Sequence, residues 1–202
     1  MSTLAVLAIS AALAAAPRHV IYVHGKAVED SGRRPSTRFG IYEYDAILDA
    51  LRNAGFAVTS EQRPKDTDPS AAAERLVAEV RALIAKGVPA SHITVIGASK
   101  GGVIAMLAST KLENPDLRYV LLGNCNDTIL ERHRPRLSGR VLSVYEKSDE
   151  FGHSCAAFFA KGAPALREHR ELALDLGINH AFLYTPRKEW LEPAIEWARA
   201  GK

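Results

Sequence analysis

From Arg18 onward the chain alternates short, continuous apolar runs with longer stretches whose apolar positions recur every three or four residues. RHVIYVHG (18–25) is almost unbroken in its apolar character, as expected of a strand covered on both faces. After a polar stretch from Lys26 to Gly40, expected to be a loop, IYEYDAILDALRNAG predicts a helix. Tyr44, Ile47, Leu48 and Leu51 share one face of it, and Gly55 is placed to end it. FAVTSE predicts a second strand. Asp68-Pro69 then supplies an N-cap and a first-turn proline for a helix with Leu76, Val80, Leu83 and Ile84 on one face, stopping at Gly87.

HITVIG is the third predicted strand and leads into a helix from Lys100 to about Thr110. RYVLLGN, RVLSVYE and ELALDLG are the fourth, fifth and sixth strands. A last helix, around 188–200, carries Trp190, Ala194 and Trp197 on one stripe. Strands alternating with helices imply an α/β protein with a mainly parallel sheet of about six strands between helical layers, a three-layer sandwich. No repeat, low-complexity tract or linker divides it. The connections after the fourth and fifth strands are too short for a cap domain, so 18–202 is expected to be one domain.

Composition changes this picture little. The 202 residues suffice for one full core, and the net charge of +3 is spread without a Lys/Arg run of the length that nucleic acid requires. Two cysteines, with no CxxC and no His/Cys cluster, argue against a structural metal. The N-terminus adds something. Leu4 to Ala16 is uncharged, apolar and closed by small residues, and Ala12-Leu13-Ala14 fits a signal-peptidase site. The run lacks a basic n-region and is too short to span a membrane as a helix. Residues 1–16 are accordingly expected to be a signal peptide of a periplasmic or secreted protein, the alternative being a small packed helix on a cytoplasmic one.

The predicted strand ends hold the chemistry. The first is followed by His24-Gly25-Lys26, the third by Gly97-Ala98-Ser99-Lys100-Gly101-Gly102, the fifth by Lys147-Ser148-Asp149-Glu150 and the sixth by Gly177-Ile178-Asn179-His180. Ligands of open α/β sheets bind beyond the carboxyl ends of the strands. A serine, a carboxylate and a histidine thus converge on one edge in the order Ser, Asp, His.

A strand that reverses into a helix within two residues strains its apex, and glycines two before and two after relieve the clash. Ser99 is the apex, flanked by Gly97 and Gly101. The free N–H of Lys100 would face developing negative charge, and the N–H of Lys26 is the natural second donor. His180 would take the serine proton and Asp149 would orient the imidazole.

With His24-Gly25, GASKG, Asp149 and His180 in place, residues 18–202 resemble the α/β-hydrolase superfamily. The likeness is to a compact member without the two N-terminal antiparallel strands and without a cap, and HGKAVEDSGRRPSTRFGIYEYDAIL is similar to a bacterial group of small α/β hydrolases. The resemblance implies hydrolysis of an ester, thioester or amide through an acyl-enzyme, with neither cofactor nor metal.

Other assignments compete. Glu150 is the nearest alternative to Asp149, and His153 to His180. His24 is read as shaping its turn, and His133 and His169 lie in charged, solvated sequence. Arg33, Arg34 and Arg38 could recognise an anionic substrate group, or simply pair with Glu29 and Asp30. Cys125 and Cys155 follow neighbouring strands and would be bridged in an exported protein. The reading is a serine esterase or acyl hydrolase acting on a small-molecule ester. A peptidase or amidase on the same triad, and a non-catalytic protein binding a small anionic ligand, remain the alternatives.

Overall fold

The computed structural model describes residues 17–200. The apolar run expected to be a signal peptide lies outside the described residues.

The elements are β1 (His19–Val23), α1 (Lys26–Ser31), β2 (Ser36–Thr37), β3 (Gly40–Ile41), α2 (Tyr44–Asn53), β4 (Ala57–Thr59), α3 (Pro69–Ala85) and β5 (Ile93–Ala98). There follow α4 (Lys100–Leu112), β6 (Arg118–Leu122), α5 (Asp127–His133), β7 (Gly139–Glu146), α6 (Ala156–Phe159), β8 (Leu166–Leu174) and α7 (Lys188–Arg199). Six strands form one parallel sheet in the order β4-β1-β5-β6-β7-β8. β2 and β3 make a separate antiparallel hairpin.

Alternate residues of each strand point to opposite faces, and the core divides accordingly. Ile21, Val23, Val95 and Leu121 pack with Leu76 and Val80 of α3 and Ile104 of α4. Val20, Tyr22, Ile96 and Val120 pack with Ile47 and Leu51 of α2 and Trp190 and Trp197 of α7. This is the expected three-layer sandwich. α3 starts as its sequence indicates, with Asp68 Oδ1 accepting the Ala71 N–H at 2.8 Å and Pro69 in the first turn. Only the short helix α5 stands between β6 and β7, and only α6 between β7 and β8, so these connections hold no cap.

Two elements differ from the pattern-based expectation. The stretch from Lys26 to Gly40 is not a plain loop, since α1 and the β2–β3 hairpin occupy it. Six residues span less than two helical turns, too few to display a period, and only Val28 and Glu29 of α1 are buried. β8 begins at Leu166, five residues before the predicted strand. It is an edge strand, and its LREHRE segment carries the charge that keeps exposed edges from pairing with other chains.

Candidate active site

β5 ends at Ala98 and α4 begins at Lys100, leaving Ser99 alone to turn the chain. Its φ of 51° and ψ of −120° lie in a region that costs a non-glycine residue of order 1–3 kcal/mol. The turn is held by the Ser99 N–H, which donates to Leu122 O at 2.8 Å, and by the Gly102 N–H, which donates to Ser99 O at 2.8 Å. The flanking glycines are required by close packing. A Cβ on Gly101 would stand 1.8 Å from Val23 O, and one on Gly97 would stand 2.6 Å from Gly101 O. α4 can press this tightly against β1 and β5 only without those side chains.

Asp149 and His180 meet beyond the ends of β7 and β8. His180 Nδ1 lies 2.8 Å from Asp149 Oδ2 and 3.0 Å from Oδ1, and both side chains are buried. The acid's loop is tied down by the Asp149 N–H, which donates to Glu146 O, and by the Phe151 N–H, which donates to Asp149 Oδ1 at 2.9 Å. Glu146 is spent on the histidine's loop, where its carboxylate accepts the Leu176 N–H at 2.9 Å. Glu150, the nearest alternative acid, is exposed and pairs with Arg38 at 2.6 Å. The rival base His153 is also exposed; its N–H donates to Cys125 O at 2.7 Å.

Ser99 and His180 line one cavity of about 560 Å³, an ordinary volume for a small-molecule site. Lys26 and Lys100, each the first residue of a helix, line it too. First-turn N–H groups have no partner inside their helix, which suits these two to the donor roles expected of them. The Gly25 turn comes against the serine: a Cβ there would sit 3.4 Å from Ser99 Cβ.

Beneath these turns lies a charged cluster that sequence reasoning missed. The buried carboxylate of Glu29 accepts from Lys100 Nζ, from Arg63 Nε at 3.3 Å and from the Thr67 N–H at 3.1 Å. Arg63 also donates to His24 O, and its backbone N–H donates to His24 Nε2 at 3.0 Å. Burial, reinforced by the Arg63 charge, lowers the His24 pKa to about 4. His24 is therefore a neutral structural part of its turn. Glu29 and Arg63 are 34 residues apart, and Lys100 is 71 from Glu29. No local pattern joins them.

The three arginines proposed to meet substrate do not line the cavity. Arg33 pairs with Asp45, the exposed Arg34 stands beside it, and Arg38 spans from Glu150 across the Phe39 and Phe151 rings. Glu29 and Asp30, the partners expected for them, pair instead with Lys100 and Lys26. The hairpin loop nevertheless reaches the site. Phe39 meets His180 edge-on at 5.8 Å, and Phe151 does so at 5.1 Å. Arg132 and His133, at the end of α5, line the cavity although their sequence looks fully solvated. Partial burial, and then neighbouring Arg132, hold the His133 pKa below the ordinary histidine value.

Cys125 and Cys155 form a disulfide that joins the end of β6 to the segment following Asp149. Gly123 lies under the same segment at φ 57°, where a Cβ would come within 3.0 Å of Asp149 Oδ2. Among the described residues no group of three or more His, Cys, Asp or Glu side chains is arranged to hold a metal, and no helix is long and apolar enough to cross a membrane.

No protein-family model matches this chain, and no curated protein matches it in sequence. Solved structures do match in fold. A cold-adapted esterase from an Arctic intertidal metagenomic library superimposes with a TM-score of 0.61 at 15% identity, over 95% of this chain and 86% of that one. SOBER1 of Arabidopsis thaliana gives 0.59 at 12% identity, over 91% and 98%. The ferulic-acid-bound Est1E of Butyrivibrio proteoclasticus gives 0.52 at 16% identity, over 91% and 87%. At these identities the likeness concerns the fold, and the fold is that of the α/β hydrolases.

Proposed function

We propose that this α/β-hydrolase fold serves a serine hydrolase of carboxylic esters, with Ser99 as nucleophile, His180 as base and Asp149 as its orienting acid. The observation that carries the reading is the His180 imidazole, doubly contacted by Asp149, on the wall of the same cavity that Ser99 lines from a strained turn. The esterase among the structural neighbours favours ester over amide.

In this reading the carboxylate of Asp149 accepts the Nδ1–H of His180, which leaves Nε2 free to take the Ser99 proton. The serine oxygen adds to the ester carbonyl, and the N–H groups of Lys26 and Lys100 stabilise the oxyanion. Collapse expels the alcohol, protonated by His180, and leaves an acyl group on Ser99. Water, deprotonated by the same imidazole, then releases the acid. Phe39 and Phe151, packed edge-on against the imidazole, limit its rotation and its exposure to bulk water.

The Cys125–Cys155 bridge supports a periplasmic or secreted setting, since such bonds persist in oxidising compartments. With an activated p-nitrophenyl ester, whose acylation outruns deacylation, an acyl-enzyme predicts a burst of p-nitrophenol approaching the enzyme concentration. Hydrolysis without a burst, unaffected by Ser99→Ala, would contradict the mechanism.

A further inference from the structure

The charges on the cavity wall are all of one sign. Lys26, Lys100 and Arg132 line it, together with His133 and His180, and no carboxylate does. Two of the three cations are already matched: Lys26 Nζ lies 2.6 Å from Asp30, and Lys100 Nζ rests on Glu29. Arg132 has no carboxylate partner among the described residues. A carboxylate whose charge reaches this corner is Asp68, which acts on His133 and is held as the N-cap of α3. The rest of the wall is largely apolar, with Phe39, Tyr42, Val103, Ile129, Phe151 and Leu183.

We propose that Arg132 is the anion-binding subsite of this cavity and that the substrate is an ester with an apolar body and an oxyanion group, carboxylate or phosphate, one cavity's breadth from the scissile carbonyl. This rests on the hydrolase reading and adds the substrate class to it. A guanidinium presents paired N–H donors that match the two oxygens of such a group. The apolar wall gives the intervening carbon skeleton a place to leave water. The cationic lining also draws an anion into the cavity before contact is made.

The test uses matched esters differing only in charge. p-Nitrophenyl hexanoate and mono-p-nitrophenyl adipate place the anion on the acyl side. Phenyl butyrate with 4-butyryloxybenzoate, and with 4-butyryloxyphenyl phosphate, place a carboxylate or a phosphate on the alcohol side. In at least one pair kcat/KM should favour the anionic ester roughly tenfold, through KM, as expected for a charged hydrogen bond. Arg132→Gln should bring that ratio close to one, and Arg132→Lys should restore part of it. Equal ratios in every pair, or a preference that survives Arg132→Gln, would overturn the proposal. Calorimetric titration of Ser99→Ala with the same esters separates the two readings. Tighter binding of an anionic ester, lost when Arg132→Gln is added, upholds the subsite even where the wild type turns nothing over, an outcome that would sink the hydrolase reading alone.

Discussion

The ammonium of Lys100 rests on the buried carboxylate of Glu29, and through this contact the two backbone amides proposed to receive the oxyanion are tied together. Lys100 itself carries one of those amides. Glu29 lies three residues along the helix whose first residue, Lys26, carries the other. The pair therefore sets the separation of the donors, and Arg63 fixes the carboxylate from its other side.

Glu29→Gln removes the shared charge and leaves Arg63 buried without a counter-ion. Breaking a buried pair in this way costs about 3–5 kcal/mol, to be seen in the urea midpoint. Lys100→Met spares the Arg63–Glu29 pair and should cost stability much less. Its kcat on a neutral ester should fall roughly tenfold or more, with KM within about twofold, because only the oxyanion geometry is loosened. A KM effect without a kcat effect would place Lys100 in substrate binding instead.

Asp149→Asn preserves shape but can hold the imidazole in the wrong tautomer. Steady-state kinetics should show kcat reduced by about 10³–10⁴ with little change in circular dichroism. Glu150→Gln, which breaks an exposed pair with Arg38 and leaves an amide oxygen to accept from Asn179 Nδ2, should change kcat less than about threefold. The reverse pattern would make Glu150 the acid.

His24 gives stability a pH dependence whose sign follows from burial. Its pKa is near 4 in the folded chain against an ordinary 6.5, so between these values the unfolded chain binds the extra proton. Stability is complete above pH 6.5, declines as the pH falls and has lost this contribution below pH 4. The loss is at most about 3 kcal/mol. Urea titrations at pH 7 and pH 4.5 should differ by less in His24→Gln than in the wild type. An equal difference in the two proteins would show that the slope arises elsewhere.

The Cys125–Cys155 bridge closes a loop with a sequence separation of 30, for which chain-entropy reasoning gives stabilisation of about 3–4 kcal/mol. Replacing both cysteines with serine should lower the melting temperature, and added reductant should then have no further effect. A reductant-insensitive wild type with an unchanged melting temperature would mean that the bond contributes nothing.

The sequence carried the strand order's chemistry because Ser99, Asp149 and His180 each come within a few residues of a strand's carboxyl end, where topology alone brings them to one edge. Gly97 and Gly101 were legible for the same reason, since the packing of a helix against a strand end needs them. The arginine loop was not legible. Whether Arg33 and Arg38 turn inward depends on Asp45 and Glu150, partners 12 and 112 residues away. Arg132 and His133 end a seven-residue helix too short to show which face it buries. Phe39 and Phe151 sit in loops without a period, so their contact with His180 had no signature along the chain. Glu29 had one cue, an acidic residue beside the buried Val28 of a short segment, but its partners lie far along the sequence.

The most direct test of the account is the reaction of the folded protein with a fluorophosphonate, followed by intact mass and peptide mapping. The account predicts one adduct per chain, on Ser99, absent from Ser99→Ala and formed at least a hundredfold more slowly in His180→Ala, in keeping with roughly 10²–10⁴ for a positioned base. Failure of the wild type to react, or labelling at an unchanged rate without His180, would contradict it.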